Sequence, residues 1–401
     1  MSDVTSDRLT RAAPAISVIV PVYNRAAALR RLLAALSHQA LSKQAFEVLV
    51  CDDGSSNDIA SVVQEYQQQR LKIRHIRQTN RGPAAARNLG IAAARAPLLA
   101  FTDSDCEPAE DWLEQLVCAF RDPALGLAGG RIEFRAADHL SGRCLNFLMS
   151  SSFGGAGARD PEARLHMKYY PRTGNLAVRS ELARGVGGFS QVAYGEDIGF
   201  SQRLLQSGAR VMYVAGMRVL HNERRSLWQA FGDARGKGGA RVRLARTQGM
   251  HELIHMAPAV LCLYLVIAAL AVPLRPDLAL PALAPGAAYC LILGILAIQG
   301  GASIGSLTAA LCIPFYAVAM HLGYGLGYWT GWAAVVAQAI CRRWAPRGRG
   351  RADRDPPAPA PAAPEDALST GCAQYGAMPS PPCSVEQAET ATGACQSEVA
   401  E

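Results

Sequence analysis

Four polar segments in the first 105 residues each follow an apolar run of the length of a buried strand. They are Pro21-Val22-Tyr23-Asn24, Asp52-Asp53-Gly54-Ser55, Asn80-Arg81-Gly82 leading to Arg87, and Asp103-Ser104-Asp105. Taken alone, each segment is also a competent turn or helix cap. If the runs are parallel strands of one sheet, their carboxyl ends meet at one edge, where such sheets bind ligands. Their joint placement predicts a polar cleft.

Asp103 and Asp105 are two residues apart, so both side chains can point the same way from an extended segment. Two close carboxylates repel each other unless a cation lies between them. Their hard oxygens suit Mg²⁺ or Mn²⁺ bound together with substrate phosphates, and Arg87 could pair with a phosphate. The alternative is a helix start, with Asp105 as a cap near Pro108.

Glu196 and Asp197 follow a glycine-rich approach and open a helical pattern. Acids at a helix N-terminus complement the helix dipole, so a purely structural role is a strong alternative. Two acids beside a loop can also present one of them as a general base, which needs only to be ionised and within reach of the proton that it removes.

Several function classes lose support from the sequence. It has no G-x-G-x-x-G, no G-x-x-x-x-G-K-[ST] and no G-x-S-x-G, the signatures of dinucleotide, P-loop and α/β-hydrolase sites. The 11 cysteines are scattered without C-x-x-C pairs, which favours reduced thiols over a disulfide framework. The net charge of +7 suggests nucleic acid or an anionic membrane. Because the basic residues gather beside apolar segments, we expect no nucleic-acid partner.

Strand and helix patterns alternate through the first half of the chain. We expect strands at 16–22, 46–51, 72–77, 97–102 and 211–220, and helices at 25–38, 58–69, 83–94, 108–120 and 196–207. No element is assigned to the segment 173–179. Such alternation predicts an α/β fold, a mostly parallel sheet with helices on both faces. The stretch 136–172 is irregular and contains a glycine- and serine-rich loop, which we expect to be mobile.

The second half of the chain has the composition of a membrane region. Half of the whole sequence is hydrophobic, and between 257 and 340 the only fully charged residues are Arg275 and Asp277. Segments 257–273, 278–299 and 304–324 have the length of spanning helices, and 330–340 is a shorter fourth candidate. Basic residues flank the block on both sides, which places both flanks in the cytosol and requires an even number of crossings. A fourth segment, or one re-entrant or interfacial segment, would satisfy this; a single helical core domain is the alternative.

The basic stretch before this block is expected to lie against the cytosolic leaflet and to draw in an anionic, lipid-linked ligand. An equally open alternative is that its charges only fix orientation during insertion. Its basic residues are Arg224, Arg225, Arg235, Lys237, Arg241, Arg243 and Arg246.

These patterns predict five regions. They are an N-terminal extension (1–15), an α/β domain (16–222), a basic juxtamembrane segment (223–256), three or four transmembrane helices (257–341), and a basic, then Pro- and Ala-rich, disordered tail (342–401). The first residues have no signal-peptide pattern, so we expect the α/β domain to be cytoplasmic on a multi-pass protein of the inner (plasma) membrane.

Four motifs in this order resemble family 2 glycosyltransferases. They are ISVIVPVYNR, FEVLVCDDGSSND, NRGPAAARNLGIAAARAPLLAFTDSDCEP and GEDIGFSQRL, and the resemblance covers residues 16–221. It implies the GT-A nucleotide-sugar-binding fold and a nucleotide-diphosphate sugar as the donor. By the same resemblance Pro21, Tyr23 and Asp52 hold the base and ribose, Asp53 supports their loop, and Arg87 lies near the donor.

The resemblance also implies the chemistry. Asp103 and Asp105 correspond to the family's D-x-D, with Asp103 towards the ribose and Asp105 on Mn²⁺ or Mg²⁺, and Asp197 corresponds to its catalytic base. His221 sits where some relatives place a diphosphate or metal contact, although it equally well simply ends a strand. Members of the family invert: a deprotonated acceptor hydroxyl displaces the nucleoside diphosphate in one step.

The departures from the family pattern narrow this expectation. Processive members carry Q-x-x-R-W after the E-D pair, and HNERRSLWQAFGDARGKGG lacks it, which indicates transfer of one sugar per acceptor. HLGYGLGYWTG resembles the membrane tails of bacterial non-processive members, which usually act on lipid-linked glycans for the cell envelope or exopolysaccharide. We therefore expect a lipid-linked or glycan acceptor and membrane lipids as partners. A sugar nucleotidyltransferase and a non-enzymatic membrane carrier with a nucleotide-binding domain remain as alternatives.

Overall fold

The structure is a computed structural model that describes residues 13–134, 139–151, 169–221, 226–275, 277 and 279–344, with side chains up to 341. Most of the N-terminal extension, most of the expected mobile loop, Arg224, Arg225 and nearly all of the expected tail lie outside the described residues. Residues 1–339 belong to one compact unit and residues 340–401 to a second.

The described residues form an eight-stranded mixed sheet with the order β3-β2-β1-β4-β7-β6-β8-β5. Its strands are β1 (Ile16–Val22), β2 (Phe46–Asp52), β3 (Ile73–Arg77), β4 (Leu98–Phe101), β5 (Cys106–Pro108), β6 (Leu125–Phe134), β7 (Leu176–Arg179) and β8 (Arg210–His221). The half made of β1 to β4 is wholly parallel. Strand β7 runs antiparallel to both β4 and β6, so the prediction of a mostly parallel sheet describes the first half better than the second.

Helices cover both faces of the sheet, as the alternating pattern predicts. They are α1 (Ala26–Ser37), α2 (Ile59–Gln68), α3 (Pro83–Ala93), α4 (Trp112–Ala119), α5 (Leu140–Ser150), α6 (Ser180–Gly185) and α7 (Glu196–Gln206). Leu29, Leu32, Leu33 and Leu36 form the buried stripe of α1, which packs in one core cluster with Trp112 of α4. A second cluster lies around Phe101 and includes α3 and α7. Burial on both faces explains why β1 and β2 read as continuous apolar runs.

Helix α5 is not expected from the sequence, which predicts an irregular stretch over residues 136–172. Its Cys144 and Leu148 are buried against Leu296, Ala309 and Ile313 of the C-terminal helices. The apolar side chains of α5 thus find their partners some 150 residues away in sequence, and a local pattern gives no sign of that partner.

Four further helices complete the described chain: α8 (Leu227–Gln248), α9 (Ala257–Leu274), α10 (Ala279–Ile304) and α11 (Leu307–Trp344). Three candidate spans are long and apolar enough to cross a membrane: 253–274, 279–304 and 307–341. The fourth segment considered from the sequence is the continuation of α11, because the chain between 324 and 330 stays helical despite its glycines. The described residues therefore offer three spans, an odd number.

Helices α8 and α11 pack closely against each other at glycine positions. A Cβ added at Gly238 would lie 2.0 Å from the Tyr324 carbonyl oxygen, and one at Gly327 would lie 1.9 Å from that of Arg235. Gly323 and Gly331 make similar approaches to α8 at four-residue spacing along α11. This is the small-residue packing that lets helix backbones approach closely. The chain near 223, predicted as a domain boundary, is thus followed by a helix packed on the apolar region.

Candidate active site

The loops after β1 and β2 are tied to each other at the carboxyl edge of the sheet. Asn24, which has a positive φ of 54°, accepts a hydrogen bond at Oδ1 from the Ser56 backbone N–H at 2.7 Å. Its own backbone N–H donates to Ser55 Oγ at 3.0 Å. Asparagine tolerates this left-handed conformation better than most residues. Two of the predicted polar segments therefore form one wall of the cleft.

Asp52 is fully buried at the end of β2. Its Oδ1 accepts the Ser55 backbone N–H at 2.8 Å, while His75 and Arg77 approach Oδ2 at 3.4 and 3.7 Å. Burial acts to raise the pKa of Asp52, but the Ser55 hydrogen bonds and the Arg77 charge outweigh it and hold the pKa below its ordinary value. Pro21 is buried beside this strand and Tyr23 is exposed at the rim.

Asp53 holds the loop after β3 in place. Its two oxygens accept hydrogen bonds from the Gln78 side chain at 2.7 Å and from the backbone N–H groups of Arg81 and Gly82 at 2.9 and 2.8 Å. Gly82 precedes α3 with a φ of 90°, a conformation that favours glycine. Asp53 therefore supports the loop after β3.

Arg87 bridges the two halves of the cleft from α3. Its guanidinium donates to Asp103 Oδ1 at 2.7 Å and to Glu196 Oε1 at 3.2 Å. Burial acts to lower the pKa of Arg87, and the Asp103 and Glu196 carboxylates more than compensate, so the pKa is raised. The guanidinium is fully charged and fixed between two acids from distant parts of the chain.

Asp105 lies against His221, which ends β8. The His221 Nε2 is 3.4 Å from Asp105 Oδ1, and Arg25 forms an ion pair with the other oxygen. Burial acts to raise the pKa of Asp105, but His221 and Arg25 hold it well below its usual range. Ligand atoms of Asp105, His221 and the buried Cys106 lie within 4.8 Å of one another.

This donor set fits a divalent ion through two of its members. A carboxylate and an imidazole suit Mn²⁺, and a carboxylate suits Mg²⁺. Burial first, and then the nearby charges of Asp103 and Asp105, raise the pKa of the Cys106 thiol well above its ordinary value, so a hard cation gains little from it. Asp103 is directed to Arg87 and does not join this group.

Asp197 lies at the start of α7, with its carboxylate 3.3 Å from Nη1 of Arg172 and with Oδ1 accepting the Ile198 backbone N–H. Burial acts to raise the pKa of Asp197, but the Arg172 charge and the Ile198 hydrogen bond hold it below its ordinary value. Burial and the neighbouring Asp197 charge raise the pKa of Glu196. The environment thus shifts the pKa values of the two acids in opposite directions, and Asp197 is the more readily ionised of the two.

The structure brings the predicted site residues to one cleft and adds two that the sequence analysis misses. Arg25, the partner of Asp105, directly follows the Tyr23-Asn24 segment, so its place in that motif was a usable signal. Arg172 is followed by a 3₁₀ turn (Thr173–Asn175) and β7. Nothing in its local sequence indicates that it would meet Asp197. The assigned roles of the other residues stay predictions.

Comparison with known proteins gives a family. The model described as "Glycosyl transferase family 2" matches residues 17–180. The pre-mycofactocin glycosyltransferase of Mycobacterium tuberculosis is 33% identical over 233 residues, which are 57% of this chain and 47% of the relative. The chain therefore spans about half the length of that relative. Glycosyltransferase AglE of Haloferax volcanii is 30% identical over 227 residues, 54% of this chain and 69% of the relative.

Among solved structures, the mannosyltransferase of Pyrobaculum calidifontis in complex with GDP-Man and Mn²⁺ is 21% identical, with a TM-score of 0.47 over 84% of this chain and 88% of that one. This overlap is too low for the ligands of that structure to say anything of this chain. The family model and the Haloferax relative suffice: the chain belongs to glycosyl transferase family 2, and its α/β domain has the GT-A fold that the motifs predict.

Proposed function

We propose that this protein is an inverting glycosyltransferase that moves one sugar from a nucleotide-diphosphate sugar to an acceptor hydroxyl. One observation carries the proposal. Asp197, kept ionised by Arg172, stands beside Glu196, and Glu196 is joined through Arg87 to Asp103 of the D-x-D segment. The candidate base therefore directly follows an acid that is ion-paired to the donor-binding edge, and the charge of Arg87 acts on Asp197 as well.

The reaction assigns a task to Asp197. Its carboxylate takes the proton of the acceptor hydroxyl as that oxygen bonds to the anomeric carbon, and the bond from that carbon to the diphosphate breaks with its electron pair on the leaving oxygen. A base with a low pKa is ionised at neutral pH, which this step requires. Arg172 orients the carboxylate.

The donor occupies the edge formed by the first four strands. Pro21, Tyr23 and Asp52 hold the base and ribose, and Asp53 keeps the neighbouring loop in shape. Arg87 lies near the donor phosphates but is already engaged by Asp103 and Glu196. Its charge is therefore a fixed part of the donor site.

Asp105 and His221 would hold the divalent ion, Mn²⁺ or Mg²⁺. Such an ion neutralises charge that develops on a leaving diphosphate. Arg25 and His221 both contact Asp105. The guanidinium of Arg25 therefore already places a positive charge where the diphosphate of the donor would bind. Asp103 is ion-paired with Arg87 and is not among the grouped ligand atoms. This supports a role for Asp103 in binding the ribose of the donor and not the ion.

The acceptor is lipid-linked, and one sugar is added per acceptor. In support, two apolar helices that could cross a membrane, and residues 307–339 of a third, belong to the same compact unit as the cleft. The motif of processive members is absent from the sequence. The cleft faces the cytoplasm of a bacterial inner membrane, as the basic flanks of the apolar block predict.

The test measures nucleotide release from a panel of nucleotide sugars by the full-length protein in membranes, with and without EDTA. We expect release from one donor, its loss in EDTA and its recovery with Mn²⁺. Full activity in EDTA would remove the metal from the proposal. Exchange of pyrophosphate with a nucleoside triphosphate would instead indicate the nucleotidyltransferase alternative.

A further inference from the structure

A second group of charged side chains lies beyond Asp197, where α8 meets the apolar helices. Arg241 of α8 interacts electrostatically with Arg172, with Glu252 and with Tyr324 of α11. Arg172 is the partner of Asp197, so this group begins one side chain from the candidate base. It ends at the membrane border, because Glu252 directly precedes the 3₁₀ turn Leu253–Met256 that leads into α9.

Several donors in this group have no acceptor. Within the described part of the chain, Arg241 Nη1 and Arg172 Nε are buried without a hydrogen-bond partner, and the buried Tyr324 hydroxyl interacts with Arg241. Buried polar groups are nearly always paired, so each such atom requires an explanation. Two unpaired guanidinium donors beside a hydroxyl with no acceptor of its own indicate one acceptor group that the described chain does not supply.

The acids nearby do not fill this role. Asp197 accepts from Nη1 of Arg172, and Glu252 lies 2.7 Å from Nε2 of His255. Burial acts to lower the pKa of Arg241, and the positive charge of Arg172 acts in the same direction. Tyr324 and Glu252 act to raise it but do not compensate, so the pKa of Arg241 is below its ordinary value. An added anion would relieve both the burial penalty and the repulsion between the arginines.

The surface beside the group is apolar and exposed. Leu253 and Ile254, which directly follow Glu252, are 83% and 58% exposed. They open the first candidate span, so they lie at the membrane border. A ligand that reaches this group from the bilayer therefore presents a head group at the level of Arg241.

We propose that Arg172, Arg241 and Tyr324 bind a phosphate group of the acceptor, next to the hydroxyl that Asp197 deprotonates; this inference rests on the proposed function. Guanidinium groups match the geometry of phosphate oxygens, and a phenol adds a third donor. The position at the membrane border identifies the ligand class as a lipid phosphate or diphosphate. The site explains how a membrane-held acceptor reaches the base in one orientation.

The test uses the full-length protein in uncharged detergent micelles and measures its affinity for geranylgeranyl diphosphate and for geranylgeraniol, which has the same chain and no phosphate. We expect the diphosphate to bind at least about tenfold more tightly, as charge-assisted hydrogen bonds predict. Arg241→Gln should remove most of this preference and Arg241→Lys should restore part of it. Arg246→Gln is the matched control, because it removes the same charge from an exposed position of the same helix.

Tyr324→Phe keeps the ring and removes only the hydroxyl, so it preserves the test if Arg241→Gln does not fold. We expect it to reduce the preference for the diphosphate by several-fold. An equal loss in Arg246→Gln would overturn the site, since the effect would then be one of general charge. Equal affinity of the wild-type protein for the two ligands would overturn it as well.

Two further measurements separate the possible failures. Displacement of geranylgeranyl diphosphate by phosphatidylglycerol at equal phosphate concentration would mean that the site holds an ordinary lipid head group, which overturns the acceptor assignment. Nucleotide release is measured on the same preparation. If no donor gives nucleotide release, the proposed function is wrong. If nucleotide is released but the protein binds the two prenyl ligands equally, only this inference is wrong.

Discussion

The donor side and the membrane side of the cleft differ in the charge of the groups that line them. On the donor side, carboxylates already have protein partners: Asp53 and Asp103 accept hydrogen bonds, and Asp105 has two cationic partners. On the membrane side, two arginines interact with each other, and Nε of Arg172 and Nη1 of Arg241 have no hydrogen-bond partner among the described residues. The difference shows that the donor side holds its anions with the protein's own cations, whereas the membrane side is short of an anion.

The largest expected effect comes from Asp197→Asn, because it removes the proposed base that joins the two sides. We expect kcat to fall about 10²–10⁴-fold while donor affinity changes little, since an amide cannot take the acceptor proton. Steady-state nucleotide release and direct donor binding on the same protein measure the two quantities. Glu181→Gln, an exposed acid on α6, is the control and should leave both unchanged. A variant that loses donor binding but keeps its kcat would move Asp197 to the donor site.

Asp105→Asn tests whether the donor side depends on a divalent ion. We expect Mn²⁺-dependent donor affinity to fall by more than about tenfold, because a neutral amide is a poor substitute for an anionic ligand beside a diphosphate. The measurement is donor binding titrated with Mn²⁺, in the wild type and in the variant. Donor binding that is the same with and without EDTA in both proteins would contradict the role of Asp105.

The two sides also differ in how far the sequence predicts them. Each donor-side segment lies within a few residues of a strand end, so the strand pattern alone predicts that Asp52, Asp53 and Asp103 meet at one edge. The assignment of Asp197 follows from its short motif. These positions are local, and local patterns are what a sequence displays directly.

The membrane side could not be predicted in this way. Arg172, Arg241 and Tyr324 come from three separate segments, and only the packing of α8 on α11 brings the last two together. The sequence analysis treats the basic residues of 224–246 as one surface for the leaflet. The structure instead leaves Arg235, Lys237 and Arg246 exposed and turns Arg241 and Arg243 partly inward.

Gly238→Ala sharpens the comparison by disturbing the membrane side alone. The added methyl group would lie 2.0 Å from the Tyr324 carbonyl oxygen, which is backbone and cannot rotate away. We expect a loss of about 1–3 kcal/mol in unfolding free energy, the usual cost of overpacking, with donor affinity retained. Thermal unfolding in detergent measures the first and a binding assay the second.

Gly232→Ala on the same helix is the matched control. A Cβ at Gly232 meets nothing within 4 Å, so the higher helix propensity of alanine should leave stability unchanged or raise it by up to about 1 kcal/mol. If both substitutions destabilise the protein equally, the cost of Gly238→Ala does not come from the close approach of α8 to α11.

The smallest effect concerns the charge that links the two sides. Arg172 holds the pKa of Asp197 down against burial, so Arg172→Gln should raise that pKa. Since the base must be ionised, the acid limb of the kcat profile at saturating acceptor should move to higher pH. Arg172→Lys keeps the charge and should leave the limb near its wild-type position. An acid limb that stays in place in Arg172→Gln would mean that the Ile198 hydrogen bond and Arg87 suffice to keep Asp197 ionised, and Arg172 would then belong to the membrane side alone.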